Sequence, residues 1–154
     1  MQQGVPSPFD AFYRASNART VRLAWLLVGS RAVAEDLVHD AYLAVFQRWD
    51  TIDNPGGYLR KCVVNLCLGW QRRRSRERDA LAKVGEPPPS GDPAVDTMWD
   101  AIQRLPLDRR AVVVLRYWAD LPHGEIAELL SCPAGTVRSR LHKALVELRE
   151  EVER

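Results

Sequence analysis

Arg72, Arg73 and Arg74 form an unbroken row of guanidiniums, and the nineteen positions Arg60–Arg78 hold seven basic residues against one acid. A second cluster, Thr136–Lys143, contains Arg138, Arg140 and Lys143 and no acid. The net charge of the whole chain is only +2, so these are local patches on a near-neutral background. Cations gathered at two places suit a ligand that presents phosphates at two places. Other chemistries lack their residues. Asp50 and Asp53 flank a loop, but no His or Ser is placed to complete a hydrolytic site. No Gly-x-x-x-x-Gly-Lys loop is present to cradle a nucleotide. The three cysteines cannot make a complete disulfide framework, and Cys62, Cys67, Cys132, His39, His123 and His142 show no metal-ligand spacing. The thiols are expected to be small buried hydrophobes. Catalytic residues, a metal and a cofactor are therefore not expected, and the chain reads as a non-enzyme.

The segments that carry these patches are helical in pattern. Phe9, Phe12, Tyr13, Leu23, Leu26 and Leu27 recur at helical spacing and stop at Gly29. Ser30 suits an N-cap for a helix over 31–49, whose Val33, Leu37, Ala41, Val45 and Trp49 repeat every four residues. Asn54-Pro55 supplies a cap and a first helical residue for a third helix, running to about Arg78 and burying Leu59, Cys62, Val63, Leu66 and Trp70. Lys61, Asn65, Leu68 and Arg72 share the opposite stripe. Residues 84–93 contain four prolines and two glycines, which neither helix nor central strand can pass. This predicts two modules, 1–83 and 94–154, joined by an extended linker over 84–93. In the second module Val95, Met98, Trp99, Ile102 and Leu105 form a helix stopped by Pro106, and Asp108 caps a helix over 109–119. The run Val112–Leu115 has strand propensity, but no second strand is available to pair with it. The expected fold class is all-α.

Residues 121–149 hold a short apolar helix through Ile126, Ala127 and Leu130, a turn at Ser131-Cys132-Pro133-Ala134, and a second helix with apolar Val137, Leu141, Ala144, Leu145 and Leu148. Two short helices joined by a tight turn, with small Ala127 at their crossing, predict a helix-turn-helix. Arg138, Ser139, His142 and Lys143 fall on the remaining face, where the start of the second helix would enter a major groove. A plain helical hairpin with a solvated basic face is the alternative.

Leu121–Leu148, with Glu125-Ile126-Ala127 and Gly135-Thr136-Val137-Arg138-Ser139-Arg140-Leu141, resembles region 4 of the extracytoplasmic-function (ECF) sigma factors of bacterial RNA polymerase, members of the sigma-70 superfamily. Ala34–Phe46 resembles the polymerase-binding helix of region 2, and Tyr58-Leu59-Arg60 through Asn65 to Arg72-Arg73-Arg74 resembles its promoter-melting helix. The resemblance covers nearly the whole chain. It implies a dissociable subunit that directs core polymerase to promoters, with region 4 reading the −35 element as duplex and region 2 capturing the −10 element as melted strand. It implies core polymerase as partner, at its β′ clamp and β flap, with Glu35, Asp36, His39, Asp40, Leu43 and Gln47 as the core-binding residues that face the clamp. From the residues alone that stripe is equally a solvated acidic face. The −10 set so implied is Trp49, Tyr58, Lys61, Asn65, Arg72, Arg73 and Arg74, and the −35 set is Thr136, Arg138, Ser139, His142 and Lys143. Asn65 offers donor and acceptor to the edge of an unstacked base while flanking cations hold the backbone. An anti-sigma factor is a further implied partner.

A stand-alone helix-turn-helix regulator is the rival reading. It would need a sensing or dimerising domain where 1–83 reads as a polymerase-binding module. An adaptor without DNA would leave both basic patches unexplained. The longest apolar stretches are a few residues, far short of the roughly 20 of a membrane span, and no secretory signal is visible, so a cytoplasmic location without membrane insertion is expected.

Overall fold

The computed structural model describes residues 5–81 and 97–153, and the regular structure among them is helical throughout. Seven α-helices follow one another: α1 Pro8–Val28, α2 Arg31–Gln47, α3 Pro55–Leu81, α4 Thr97–Arg104, α5 Leu107–Val113, α6 His123–Leu130 and α7 Ala134–Glu153. A 3-10 turn, Trp49–Thr51, follows α2. The segment read as an extended linker, 84–93, lies outside the described residues.

Local chemistry sets the helix ends. Ser7 Oγ accepts the Asp10 N–H at 3.1 Å beside Pro8, the first residue of α1. Gly29 closes α1 at φ +80, with its N–H donating to the Trp25 carbonyl at 2.8 Å. That left-handed corner favours glycine, and a Cβ there would sit 2.7 Å from Gln103 Oε1. Ser30 caps α2 by accepting the Val33 N–H at 3.3 Å, and Asn54 Oδ1 accepts the Gly57 N–H at 3.2 Å where α3 begins.

Helices α1, α2 and α3 pack mutually, and α7 packs on α4, α5 and α6. In α3 the buried residues are Leu59, Val63, Val64, Cys67 and Leu68, whereas Cys62, Leu66 and Trp70 are half-buried. The expected stripe was turned too far round the helix. Because α3 lies against both α1 and α2, its buried face is wide and takes pairs of adjacent residues. Leu68, expected on the outer row with Asn65, is in the core.

The helix expected over 109–119 differs too. Its α-helical part starts at Leu107 and stops at Val113, and Val114–Trp118 widens into a π turn, ended by Asp120 at φ 55. Asp108 is not the N-cap, a place taken by Pro106; it lies inside the first turn, where its Oδ1 accepts the Arg109 N–H at 2.9 Å while its Oδ2 lies 3.6 Å from Arg140 Nε on α7. The two modules also pack together, with α1 touching α4, α5 and the π turn and α3 touching α6.

Cys67 is fully buried, and burial pushes its thiol up to about 12. Alkylation of the folded chain at pH 8 is expected to modify Cys67 at least about a hundredfold more slowly than half-buried Cys132, because little thiolate forms. Equal rates by mass spectrometry would contradict this packing.

Candidate nucleic-acid and partner interfaces

Three polar faces project from this scaffold. On α2, burial of Ala34, Leu37, Val38, Ala41, Tyr42 and Val45 turns Glu35, Asp36, His39, Asp40, Leu43 and Gln47 outward, and all six are exposed. Arg31 Nε meets Glu35 Oε1 at 3.2 Å, but among the described residues no cation pairs with Asp36 or Asp40. The face is therefore a carboxylate surface with an apolar edge, where Leu43 is 46% and Phe46 59% exposed. Phe46 was not singled out from the sequence, although it lies one position beyond the buried Val45. Beneath this face the Tyr42 hydroxyl sits 2.6 Å from Ser16 Oγ, and burial raises its phenol above the ordinary value. Phe9, Phe12 and Tyr13 pack around the Tyr42 ring, so α2 is firmly seated on α1.

On α3, Lys61, Asn65, Arg72 and Arg73 are exposed. Arg74 is half-buried, with its guanidinium 5.0 Å over the Trp70 ring. Trp49 is half-buried, its ring 5.5 Å from both Phe9 and Phe12 as part of the aromatic cluster. Tyr58, also half-buried, lines an open cleft of about 400 Å³ together with Arg48, Asn54 and Lys61. Arg48 is a cation that the sequence pattern did not flag, since it stands outside the dense basic run.

On α7 the apolar register seats Val137, Leu141, Ala144 and Leu148 in the core. Leu145, expected among them, is 41% exposed. Arg138, Ser139, His142 and Lys143 are exposed, and Thr136 is half-buried. The turn before α7 is tight. Ser131 takes φ 53, and the Cys132 N–H reaches back to the Ala127 carbonyl at 3.0 Å, which closes α6 without a glycine. Arg140, part of the basic patch in sequence, is drawn instead to Asp108 and to Cys132 Sγ at 4.0 Å. The C-terminal half of α7 carries Glu147, Glu150, Glu151 and Glu153. Glu147 pairs with Arg109, and Glu151 with Arg104 at 2.9 Å, which pins α7 to α5 and α4. The geometry is a helix-turn-helix whose second helix presents a short, acid-free polar row at its N-terminal end. Among the described residues no cluster could hold a metal ion and no helix is long and apolar enough to cross a membrane.

Comparison with known proteins agrees with this arrangement. The profile described as Sigma-70 region 2 matches residues 12–77, and that of Sigma-70, region 4 matches residues 96–148. The chain is 33% identical to the RNA polymerase sigma-E factor of Streptomyces coelicolor, over 94% of this chain and 85% of that protein. It is 34% identical to the ECF RNA polymerase sigma factor SigE of Mycolicibacterium smegmatis, over 97% of this chain and 63% of that protein. Among solved structures, its fold is similar to that of the sigma factor RpoE from Bartonella quintana, solved with the anti-sigma factor NepR. That similarity has a TM-score of 0.73 at 22% identity and covers 93% of this chain and 97% of that one.

Proposed function

The chain belongs to the ECF branch of the sigma-70 family, and on that premise we propose how its three faces divide the work of promoter recognition. The family's function is to direct core RNA polymerase to promoters, as a subunit that carries no catalytic chemistry of its own. We assign residues 1–83 to region 2, 94–154 to region 4 and 84–93 to the linker between them; the two profile matches fall within these bounds. The protein acts where the polymerase acts, in the cytoplasm. The observation that carries the reading is the free polar row of α7, Arg138, Ser139, His142 and Lys143, held outward by a buried apolar register on a helix-turn-helix.

In this assignment α7 lies in the major groove of the −35 element. Arg138 grips a guanine edge, while Lys143 meets phosphate and Ser139 and His142 fill the contact between them. The α3 row of Lys61, Asn65, Arg72 and Arg73 follows the melted −10 strand, with Asn65 at a base edge and the cations along the backbone. Tyr58 lines the neighbouring cleft. Trp49 contributes mainly by fixing the end of α2. The carboxylates of α2, with Leu43 and Gln47, dock on a basic surface of the β′ clamp, and the β flap holds the second module. An anti-sigma factor would compete for one of these faces.

Run-off transcription with purified core polymerase over a promoter library tests the reading directly; no promoter-dependent product would sink it. Within that assay, Asp36→Lys with Asp40→Lys is expected to abolish co-purification with core enzyme while far-ultraviolet circular dichroism stays unchanged. Retained binding would move the polymerase contact elsewhere. Asn65→Ala is expected to slow open-complex formation on duplex templates and to be largely rescued by a pre-melted bubble. Equal loss on both templates would mean that Asn65 serves the fold. Arg138→Ala is expected to cost about 1–3 kcal/mol at one −35 base pair only, and Lys143→Ala to weaken all sequences alike and lower the salt slope by about one. A uniform loss for Arg138→Ala would make that residue a backbone contact.

A further inference from the structure

One cation of α7 is held back from the polar row by α5. Thr136, Arg140, Lys143 and Glu147 follow one another three or four positions apart, so they line one edge of α7. Arg140 and Glu147 both reach α5, which makes this the edge beside that helix. Two adjacent residues of α5 meet it with opposite charges. Arg109 pairs with Glu147, and Asp108 faces Arg140, its Oδ2 3.6 Å from Nε. The Asp108 carboxylate is itself aimed by Oδ1, which accepts the Arg109 N–H at 2.9 Å. On its other side the Arg140 guanidinium donates to Cys132 Sγ at 4.0 Å, in the turn before α7. Among the described residues, Lys143 is the charge on this edge that no carboxylate meets.

The two pairs differ in how firmly they are made. Arg109 and Glu147 are mostly covered, and their contact seats the helix. Asp108 is 51% exposed and Arg140 32%, and their charged atoms stand beyond hydrogen-bond distance. A half-exposed pair of this kind is weak and is screened by salt. A phosphate can take a guanidinium through two parallel N–H bonds, a stronger geometry than Asp108 has here. Lys143, one turn beyond Arg140, is assigned above to phosphate, and the strand that meets it runs along the same edge. Two anions therefore compete for one guanidinium. One is a carboxylate fixed to the fold, and the other is a phosphate that arrives with the duplex.

We propose that Asp108 is an internal competitor of the DNA backbone for Arg140. By holding that guanidinium it lowers the sequence-independent affinity of the helix-turn-helix, and so leaves occupancy of a site to the bases that Arg138 reads. The proposal rests on the assignment of α7 to duplex DNA. Asp108 touches no base in it and acts only through Arg140. Removal of a carboxylate that merely supported the fold would weaken binding, whereas removal of a competitor strengthens it.

The test follows binding of the full-length chain to a short fluorescent duplex of unrelated sequence by anisotropy, across a salt series. Asp108→Asn keeps an oxygen to accept the Arg109 N–H and removes the charge. It is expected to tighten binding about fivefold at low salt and to steepen the salt dependence by up to about one. Asp108→Glu, which keeps the charge, is expected to bind as the wild type does. In an Arg140→Gln background, Asp108→Asn is expected to change binding less than about twofold, which separates release of Arg140 from loss of a negative charge as such. Holoenzyme carrying Asp108→Asn is expected to gain most on the weakest −35 variants. Unchanged or weaker duplex binding by a folded Asp108→Asn chain overturns the proposal, as does an equal gain in the Arg140→Gln background or no gain on any −35 variant. Arg140→Gln alone decides the matter should Asp108→Asn fail to fold: a loss as large as that of Lys143→Ala would mean that Arg140 already serves the DNA, and a smaller loss supports the competition. Lys143→Ala also tests the assignment beneath. If it leaves duplex binding unchanged, α7 is not the DNA face and both readings fall; if it weakens binding while Asp108→Asn gives no gain, only the competitor falls.

Discussion

The termination of α1 is the constraint on which the remaining packing turns. A helix of 21 residues must satisfy its last carbonyls, and its path stops abruptly at Gly29. The left-handed glycine turns the chain into Ser30, which starts α2 at once, so the crossing of α1 and α2 is fixed within two residues. The carbonyls of Leu26 and Leu27 then draw in Gln71 from α3 and Gln103 and Arg110 from the second module. Each of these side chains has its own helix aligned by the bond it makes. The core buries apolar area without caring greatly about angle, whereas these directional bonds select one arrangement.

From that point the polar faces follow as what is left over. The buried stripe of α2 leaves its carboxylates outside, and the buried register of α7 leaves Arg138, Ser139, His142 and Lys143 outside. Charges that would spoil the polar row of α7 are used elsewhere. Arg140 turns to Asp108, and Glu151 and Glu147 in the last turns of α7 pair with Arg104 and Arg109. The same ion pairs seat the helix firmly against α4 and α5, so a stiff rod carries the polar row.

Much of this was legible in the residues. Ser30, Asn54-Pro55, Gly29 and Pro106 mark helix ends because caps and breakers act locally, and the helix-turn-helix showed in its apolar register. Local pattern failed where distant packing decides. The groove between α1 and α2 determined that Val64, Cys67 and Leu68 of α3 are buried, and periodicity alone placed Leu66 and Trp70 there. The π turn at Val114–Trp118 has no compositional mark, and Trp118 at its end meets Arg22 of α1, a partner distant in sequence. Leu145 looked like core because leucine at helical spacing usually is. The seam between modules was invisible, because Gln103 and Arg110 read as ordinary surface residues until the end of α1 is placed beside them. For the interfaces, residue type and spacing located the exposed rows on α2, α3 and α7 but missed Arg48 and Phe46, which lie outside any dense pattern.

The two ends of α7 also differ in what they offer a charged partner. Arg138, Arg140 and Lys143 occupy the first turns with no acid among them, whereas the last turns hold four glutamates, two of them paired to neighbouring helices, and Arg149, on a rod about 30 Å long whose peptide dipole points the same way. A net charge near zero makes no pull toward a polyanion, but a separated one makes a torque. The field of a polyanion would favour the attitude with the N-terminal end inward. Angular selection of this kind acts within a Debye length, about 8 Å at physiological ionic strength, so it sorts orientations at close range without drawing the module to arbitrary DNA from afar.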